Sequence, residues 1–240
     1  MKQVKINTHI SRKFNQELEN LRNAVLTMGG IVEQQLSDAL GAFRDNNRRM
    51  AESVILNDFQ VNSMEVQIDE ECTRIIATRH PTASDLRLVL VIVKATADIE
   101  RIGDEVERIA NLIITGELPG SESIKNNMIA TGDKVMAMLR KTLNAFARLD
   151  VDSAFAIHKL DKEIDKQYKA LLAEAIKEMQ QDTDSLPQWL EVLWAMRALE
   201  RVGDRCKNIC EYIIYFVKGR DVRHVSRKKI AEALREGQTE

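Results

Sequence analysis

Acidic residues that lie four positions apart are the feature of this sequence best suited to chemistry. We single out three of these pairs, each in a stretch with helical periodicity: Glu100 with Asp104, Asp161 with Asp165, and Glu200 with Asp204. Side chains at this spacing are neighbours on a helix, where two like charges destabilise it by about 0.2–0.5 kcal/mol. A penalty that recurs three times suggests a compensating cation, and carboxylate oxygens suit hard or borderline metal ions.

Two further acids extend these predicted metal sites. Asp58 occupies the position that corresponds to Asp161, although its partner four residues later is Asn62. Glu107 follows Asp104 on the same predicted helix face, whereas the second copy has Lys207 at that position. One of the two copies is therefore expected to bind metal more weakly, or only one copy forms a metal site. The predicted ligands are Asp58, Glu100, Asp104, Glu107, Asp161, Asp165, Glu200 and Asp204, and the expected ions are divalent or ferric, with Fe, Mn, Mg and Zn as candidates.

An alternative interpretation of the acidic faces needs no metal. The carboxylates would form solvated surfaces that pair with the arginines on the same helices: Arg101, Arg108, Arg201 and Arg205. The protein would then be a metal-independent helical adaptor. We further predict that Arg101 and Arg201 contact partner proteins. Catalysis is not expected, because the sequence has no P-loop, no Gly-x-Ser-x-Gly and no recognisable pair of nucleophile and base.

A repeat of about 100 residues positions the acidic pairs. Glu-Arg-Ile-Gly-Asp at 100–104 corresponds to Glu-Arg-Val-Gly-Asp at 200–204, and earlier positions match at an offset of 103 residues. Apolar periodicity and three prolines predict six long helices and no sheet. Their predicted ranges are 9–45, 48–79, 83–115, 122–148, 151–180 and 186–219. The predicted fold is all-α, with two tandem antiparallel three-helix bundles at 1–118 and 119–219, followed by a basic tail at 220–240.

Several single residues have predicted roles within these helices. Gly103 and Gly203 lie in the middle of matching helices and indicate close approach of another helix. Gly29 and Gly30 are adjacent, and the sequence leaves open whether they allow a kink or close packing. His158 is interpreted as a surface residue, with a metal site beside Asp161 as the alternative.

Composition excludes several classes of protein. The chain has 240 residues, is 44% hydrophobic and has a formal net charge of −2, which predicts a sizeable core and no nucleic-acid binding. Three cysteines without a Cys-x-x-Cys pair favour a reducing compartment. The sequence starts without the apolar region of a signal peptide, and its longest apolar run, 88–93, is far shorter than the roughly 20 residues that span a bilayer. We therefore expect a cytoplasmic protein.

Five segments together resemble the PhoU family. They are Met-Gly-Gly-Ile-Val-Glu at 28–33, Arg-His-Pro-Thr-Ala-Ser-Asp-Leu-Arg at 79–87, Asp-Ile-Glu-Arg-Ile-Gly-Asp at 98–104, Glu-Arg-Val-Gly-Asp at 200–204 and Gly-Arg-Asp-Val-Arg-His at 219–224. The resemblance covers nearly the whole chain. It implies two PhoU-like three-helix bundles.

The same resemblance implies a function and a set of partners. Proteins of this family are cytosolic accessory proteins and negative regulators of phosphate uptake and of phosphate-starvation signalling. The implied partners are a phosphate ABC transporter at the membrane, a phosphate-sensing histidine kinase and a second copy of the chain. The family's Glu/Asp-x-x-x-Asp motif, a multinuclear metal site, corresponds here to the pairs Glu100/Asp104, Asp161/Asp165 and Glu200/Asp204.

Overall fold

The structure is a computed structural model and describes residues 12–114, 119, 121–225 and 229–232. This part of the chain contains seven helices of seven residues or more and no strand. They are α1 (Arg12–Asp45), α2 (Arg48–Arg79), α3 (Ala83–Ile114), α4 (Glu122–Arg148), α5 (Val151–Ile157), α6 (Asp161–Met179) and α7 (Leu186–Lys218). The predicted all-α fold is confirmed, whereas the predicted boundaries of the two bundles stay a prediction.

The helix ends follow local hydrogen bonding. The side chains of Asn47 and Ser121 accept hydrogen bonds from backbone N–H groups in the first turns of α2 and α4. Such N-caps satisfy donors that have no partner within the helix. Gly219 ends α7 with φ of 68°, a left-handed conformation that glycine adopts without strain. These ends agree with the predicted boundaries of α2, α4 and α7 within one residue.

The prediction of a single helix at 151–180 is wrong, because a turn at residues 158–160 separates α5 from α6. Lys159 and Leu160 donate backbone hydrogen bonds to the carbonyls three residues earlier, at 3.1 and 2.8 Å, so the chain turns tightly here. The turn lets His158 face Glu211 on α7 while Asp161 faces Lys207. Both contacts depend on residues some 50 positions away, which local periodicity cannot reveal.

Two groups of three long helices pack around a continuous core. Helices α1, α2 and α3 pack on one another, and α4, α6 and α7 do the same, with the short α5 against α4 and α7. The apolar faces predicted for α3 and α7 are buried throughout, for example at Ile102 and Val202. The two groups meet through α3 with α7 and through α1 with α4.

Polar side-chain contacts between α3 and α7 show that the two helices run in opposite directions. Asp98, which is only 2% exposed, accepts hydrogen bonds from the Tyr212 hydroxyl at 2.8 Å and from Arg205 at 3.3 Å. Seven residues later on α3, Glu105 accepts a hydrogen bond from Arg201 at 3.0 Å. Since the partner number falls as the α3 number rises, the two helices are antiparallel.

Reciprocal glycine–leucine contacts join α1 to α4. A Cβ atom at Gly29 would lie 2.5 Å from Leu143 Cδ2, and one at Gly132 would meet Leu40 equally closely. Gly29 and Leu40 correspond to Gly132 and Leu143 at the repeat offset of 103. Close packing therefore explains Gly29. A Cβ atom at Gly30 would meet no neighbouring atom of the described chain within 4 Å, so this residue faces away from the contact.

Gly29 and Gly30 provide a matched test of this packing. The variant Gly29→Val should lose about 1–3 kcal/mol of unfolding free energy, because the larger side chain overpacks the contact with Leu143. The control Gly30→Val should stay within about 0.5 kcal/mol of the parent protein. Urea unfolding followed by circular dichroism measures both, and equal losses in the two variants would contradict the proposed contact.

Candidate functional site

A first cluster of carboxylates lies between α2 and α3. Asp58 on α2 is buried and accepts a hydrogen bond from Asn62 at 2.9 Å. Glu100 and Asp104 on α3 are half-buried, as is Glu65, one helical turn beyond Asn62 on α2. The structure therefore brings three predicted ligands from two helices together along the interface between α2 and α3, which we call the seam.

Gly103 allows this seam to form. A Cβ atom there would lie only 3.1 Å from Asp58 Oδ1 and 3.6 Å from Val61. The predicted close approach of another helix is confirmed, and the approaching side chain is itself one of the acids. A Cβ atom at 103 would force the Asp58 side chain or α2 to shift by a few tenths of an ångström.

The first cluster holds more negative charge than its surroundings balance. Burial, followed by Asp104, Glu65 and Asp58, raises the pKa of Glu100 from its ordinary value of 4.5 to about 7, against the opposing charge of Arg101. Burial also raises the pKa of Asp58 and of Glu65. Within the described part of the chain, no lysine or arginine forms a salt bridge with these three carboxylates. A cation bound at the seam would relieve this repulsion.

A second cluster lies at the matching place between α6 and α7, and its four members are Asp161, Asp165, Glu200 and Asp204. Here the protein supplies its own cations. Lys207 Nζ lies 3.1 Å from Asp161 Oδ2, and Arg197 Nη1 lies 2.6 Å from Glu200 Oε1. Burial lowers the pKa of Lys207, but Asp161 outweighs it, so the net shift is upward and the ammonium stays charged. The second cluster is therefore partly neutralised without a metal, although burial and neighbouring acids still raise the pKa of Glu200 and of Asp204.

Three of the acids do not lie on the solvated surface that the metal-independent alternative requires. Asp58, Asp161 and Glu200 are buried, because α2 and α6 cover the faces of α3 and α7 opposite the apolar core. Glu107 is half-buried on α3 and is not among the groups that shift the pKa of Glu100.

Glu65 is a member of the first cluster that the sequence interpretation missed. It lies seven residues after Asp58, a spacing that returns to the same face of α2. That spacing could have identified it.

The described residues do not form a ready-made metal site. Among them, no group of three or more His, Cys, Asp or Glu side chains is arranged to hold an ion. The first cluster nevertheless fits a metal chemically, because its oxygens come from two helices and its charge is unbalanced. Ion binding would require the half-buried side chains of Glu100 and Asp104 to move inward.

Three other residues with predicted roles are Arg101, Arg201 and His158. Arg101 is exposed, as a partner-binding residue requires, whereas Arg201 forms the ion pair with Glu105 on α3. The role of both arginines in partner binding stays a prediction. The expectation that His158 is a surface residue is wrong, because it is buried and its Nε2 lies 3.2 Å from Glu211 Oε1.

Comparison with known proteins agrees with this duplicated arrangement. The family model described as PhoU domain matches residues 25–113 and 129–213, one match in each repeat. The chain belongs to the PhoU family. The phosphate-specific transport system accessory proteins of Serratia marcescens and Escherichia coli (strain K12) are each 44% identical to it over 98% of its length, and the alignments cover 96% and 97% of those proteins.

Solved structures of this family share the fold. The crystal structure of PhoU from Pseudomonas aeruginosa matches with a TM-score of 0.81 and 42% identity, over 87% of this chain and all of that one. The phosphate transport system regulatory protein PhoU from Streptococcus pneumoniae matches with the same TM-score and 32% identity, over 88% of this chain and 99% of that one.

In the part of our PhoU-family chain that the structure describes, no helix has the length and apolarity needed to cross a membrane.

The raised pKa of Glu100 predicts how its replacement changes stability with pH. The folded protein holds this proton more tightly than the unfolded chain, so ionisation of Glu100 lowers stability as pH rises from about 4.5 through 7. In metal-free buffer at about pH 8, Glu100→Gln should therefore be more stable than the parent by roughly 1–2 kcal/mol. The difference should vanish below the ordinary pKa.

Urea unfolding across this pH range measures the effect, with Glu107→Gln as the control. Glu107 lies on the same helix outside the cluster, so its replacement should change stability by less than about 0.5 kcal/mol at any pH. A Glu100→Gln protein that is no more stable than the parent above neutral pH would contradict the proposed charge imbalance.

Proposed function

We propose that this protein is an accessory protein of phosphate transport and a negative regulator of phosphate uptake and phosphate-starvation signalling. The observation that carries the proposal is its 44% identity, over nearly the whole chain, to relatives named phosphate-specific transport system accessory protein. These names describe an accessory role rather than an enzyme. A cytoplasmic protein with this role would act through contacts with a phosphate ABC transporter and a phosphate-sensing histidine kinase.

Exposed apolar side chains support a role in protein contacts. Leu190 and Trp194 lie on one face of α7 and are 48% and 57% exposed, with Leu186 in line with them. Arg197 and Arg201 continue this face towards the middle of the helix. An apolar ridge with an exposed aromatic and adjacent arginines has the composition of a protein interface, so we place the partner proteins here.

A second apolar surface supports a homodimer. Leu56 and Phe59 on α2 are each 72% exposed, and Val66 is 56% exposed. Across residues 53–64 the single charged residue is Asp58, which is buried, so the exposed surface around Leu56 and Phe59 is uncharged. A dimer with two-fold symmetry places the same patch against itself, and an uncharged patch avoids like-charge repulsion in that arrangement.

We also propose that the first carboxylate cluster binds one divalent or ferric ion and that the second does not. Asp58, Glu100 and Asp104 would hold the ion, with Glu65 beside them. The bound ion would supply positive charge that fixes α2 against α3. The alternative, a metal-independent adaptor, fits the second cluster better than the first, because Lys207 and Arg197 already pair with two of its four acids.

Matched double variants test the metal proposal. Equilibrium dialysis with Mn²⁺, followed by metal analysis, should give binding to the parent protein that Glu100→Gln/Asp104→Asn weakens by at least about tenfold, since it removes two charged ligands. The corresponding change in the second repeat, Glu200→Gln/Asp204→Asn, should leave Mn²⁺ binding unchanged. Equal effects of the two double variants, or no binding to the parent, would refute the assignment.

Complementation tests the regulatory proposal. A strain of Escherichia coli that lacks its own relative should regain repression of a phosphate-starvation reporter in high phosphate when it expresses this protein. The variant Leu190→Ala/Trp194→Ala should lose that repression while its abundance and helical circular dichroism stay normal, because it removes the proposed partner surface. The control variant Leu56→Ala changes the other apolar surface and should keep the repression. Absence of repression by the parent protein at normal abundance would contradict the proposal.

A further inference from the structure

A polar cavity of about 480 Å³ lies beside α7, apart from the eight predicted metal ligands, and its volume is that of a small-ligand site. Helix α7 contributes Lys207, Asn208 and Glu211 to its lining, and the turn after α5 contributes His158. The segment that follows α7 forms one side of the cavity.

The segment at 219–225 is held in place over this cavity. Val222 is buried at 3% exposure and anchors the segment. Asp221 accepts hydrogen bonds from the backbone N–H and the guanidinium of Arg223 at 3.0 Å, which orients that side chain. Arg223 and His224 thereby form the outer part of the lining.

His158 lies in the wall of this cavity. The residue is 93% buried (7% exposed), and its Nε2 contacts Glu211 at 3.2 Å. Its Nδ1 is buried and has no hydrogen-bond partner within the described part of the chain. The contact through Nε2 holds the Glu211 carboxylate in the wall of the cavity.

The lining combines strong donors with one carboxylate. Lys207 carries three N–H groups and directs one towards Asp161, while Asp221 binds Nε and Nη2 of Arg223 but not Nη1. These cations would attract the oxygens of an anion. Glu211 is an acceptor when ionised, so it would repel an anion unless that anion offers an O–H group.

We propose that this cavity binds inorganic phosphate as hydrogen phosphate. Its oxygens accept hydrogen bonds from Lys207 and Arg223, while its remaining O–H donates to Glu211. Sulfate has the same shape but carries no proton near neutral pH, so Glu211 would exclude it. A phosphate monoester, whose second pKa is about 6, has no O–H left at about pH 8 and would also be excluded.

This inference rests on the proposed function for its biological purpose, since a regulator of phosphate uptake would read free phosphate directly. Equilibrium dialysis of the full chain with radiolabelled phosphate at about pH 8, in competition with sulfate or methyl phosphate, measures the selectivity. Phosphate should bind at least about tenfold more tightly than either competitor, the margin expected from one unpaired buried charge.

Two variants and a control separate the contributions. Glu211→Gln should bring the affinities for phosphate and sulfate within about twofold of each other, because the neutral amide no longer repels sulfate. Arg223→Ala, at an exposed position, should weaken both by about tenfold. Arg220→Ala, in the same segment outside the cavity, should bind as the parent does. Phosphate binding that is absent, that sulfate matches in the parent or that Arg223→Ala leaves unchanged would overturn the proposal.

The outcome is separable from the proposed function. A parent protein that restores repression in cells but binds no phosphate in dialysis refutes the cavity assignment alone. A protein that binds phosphate selectively but fails to restore repression supports the cavity and refutes the regulatory role.

Discussion

The close approach of α2 to α3 at Gly103 is the constraint on which the rest of the candidate site depends. With no side chain at this position, Asp58 Oδ1 comes within 3.1 Å of where a Cβ atom would lie. The same approach buries the apolar face of α2 and traps Asp58 beside the acids of α3. Packing thus brings like charges together in a partly desolvated seam, which costs free energy unless a cation is present. The stabilising hydrophobic contacts and the electrostatic strain have one geometric cause.

Duplication preserved this geometry while the two copies diverged in charge. Gly203 allows the same approach of α6 to α7, where Ile164 lies against it. The lysine at 207 replaces the acid at 107 and pairs with Asp161. Its ammonium group therefore supplies the positive charge that a metal ion would supply in the first cluster. Lys207 also lines the polar cavity beside α7, and Arg201 and Arg205 join the second repeat to the first. The second copy therefore uses its basic residues for internal pairing, whereas the first keeps an unbalanced acidic seam.

Helical periodicity and the internal repeat were sufficient to predict the fold class, the long helices and the two sets of acids. The predictions failed where the outcome depends on contacts distant in sequence. Periodicity left a solvated surface open as an alternative for Glu200, because one helix considered alone cannot show that α6 covers it. It also could not show the break before Asp161, where His158 meets Glu211, 53 residues away in sequence. The pairing of Arg201 with Glu105 depends in the same way on how the two repeats dock.

An anomalous difference map from crystals grown with Mn²⁺ tests the central claim most directly, since it locates the ion as well as detecting it. We predict one peak per chain, bounded by Asp58, Glu100 and Asp104, and no peak between α6 and α7, where Lys207 remains on Asp161. A peak among Asp161, Glu200 and Asp204 with Lys207 displaced, or no peak in either seam at saturating Mn²⁺, would contradict the account.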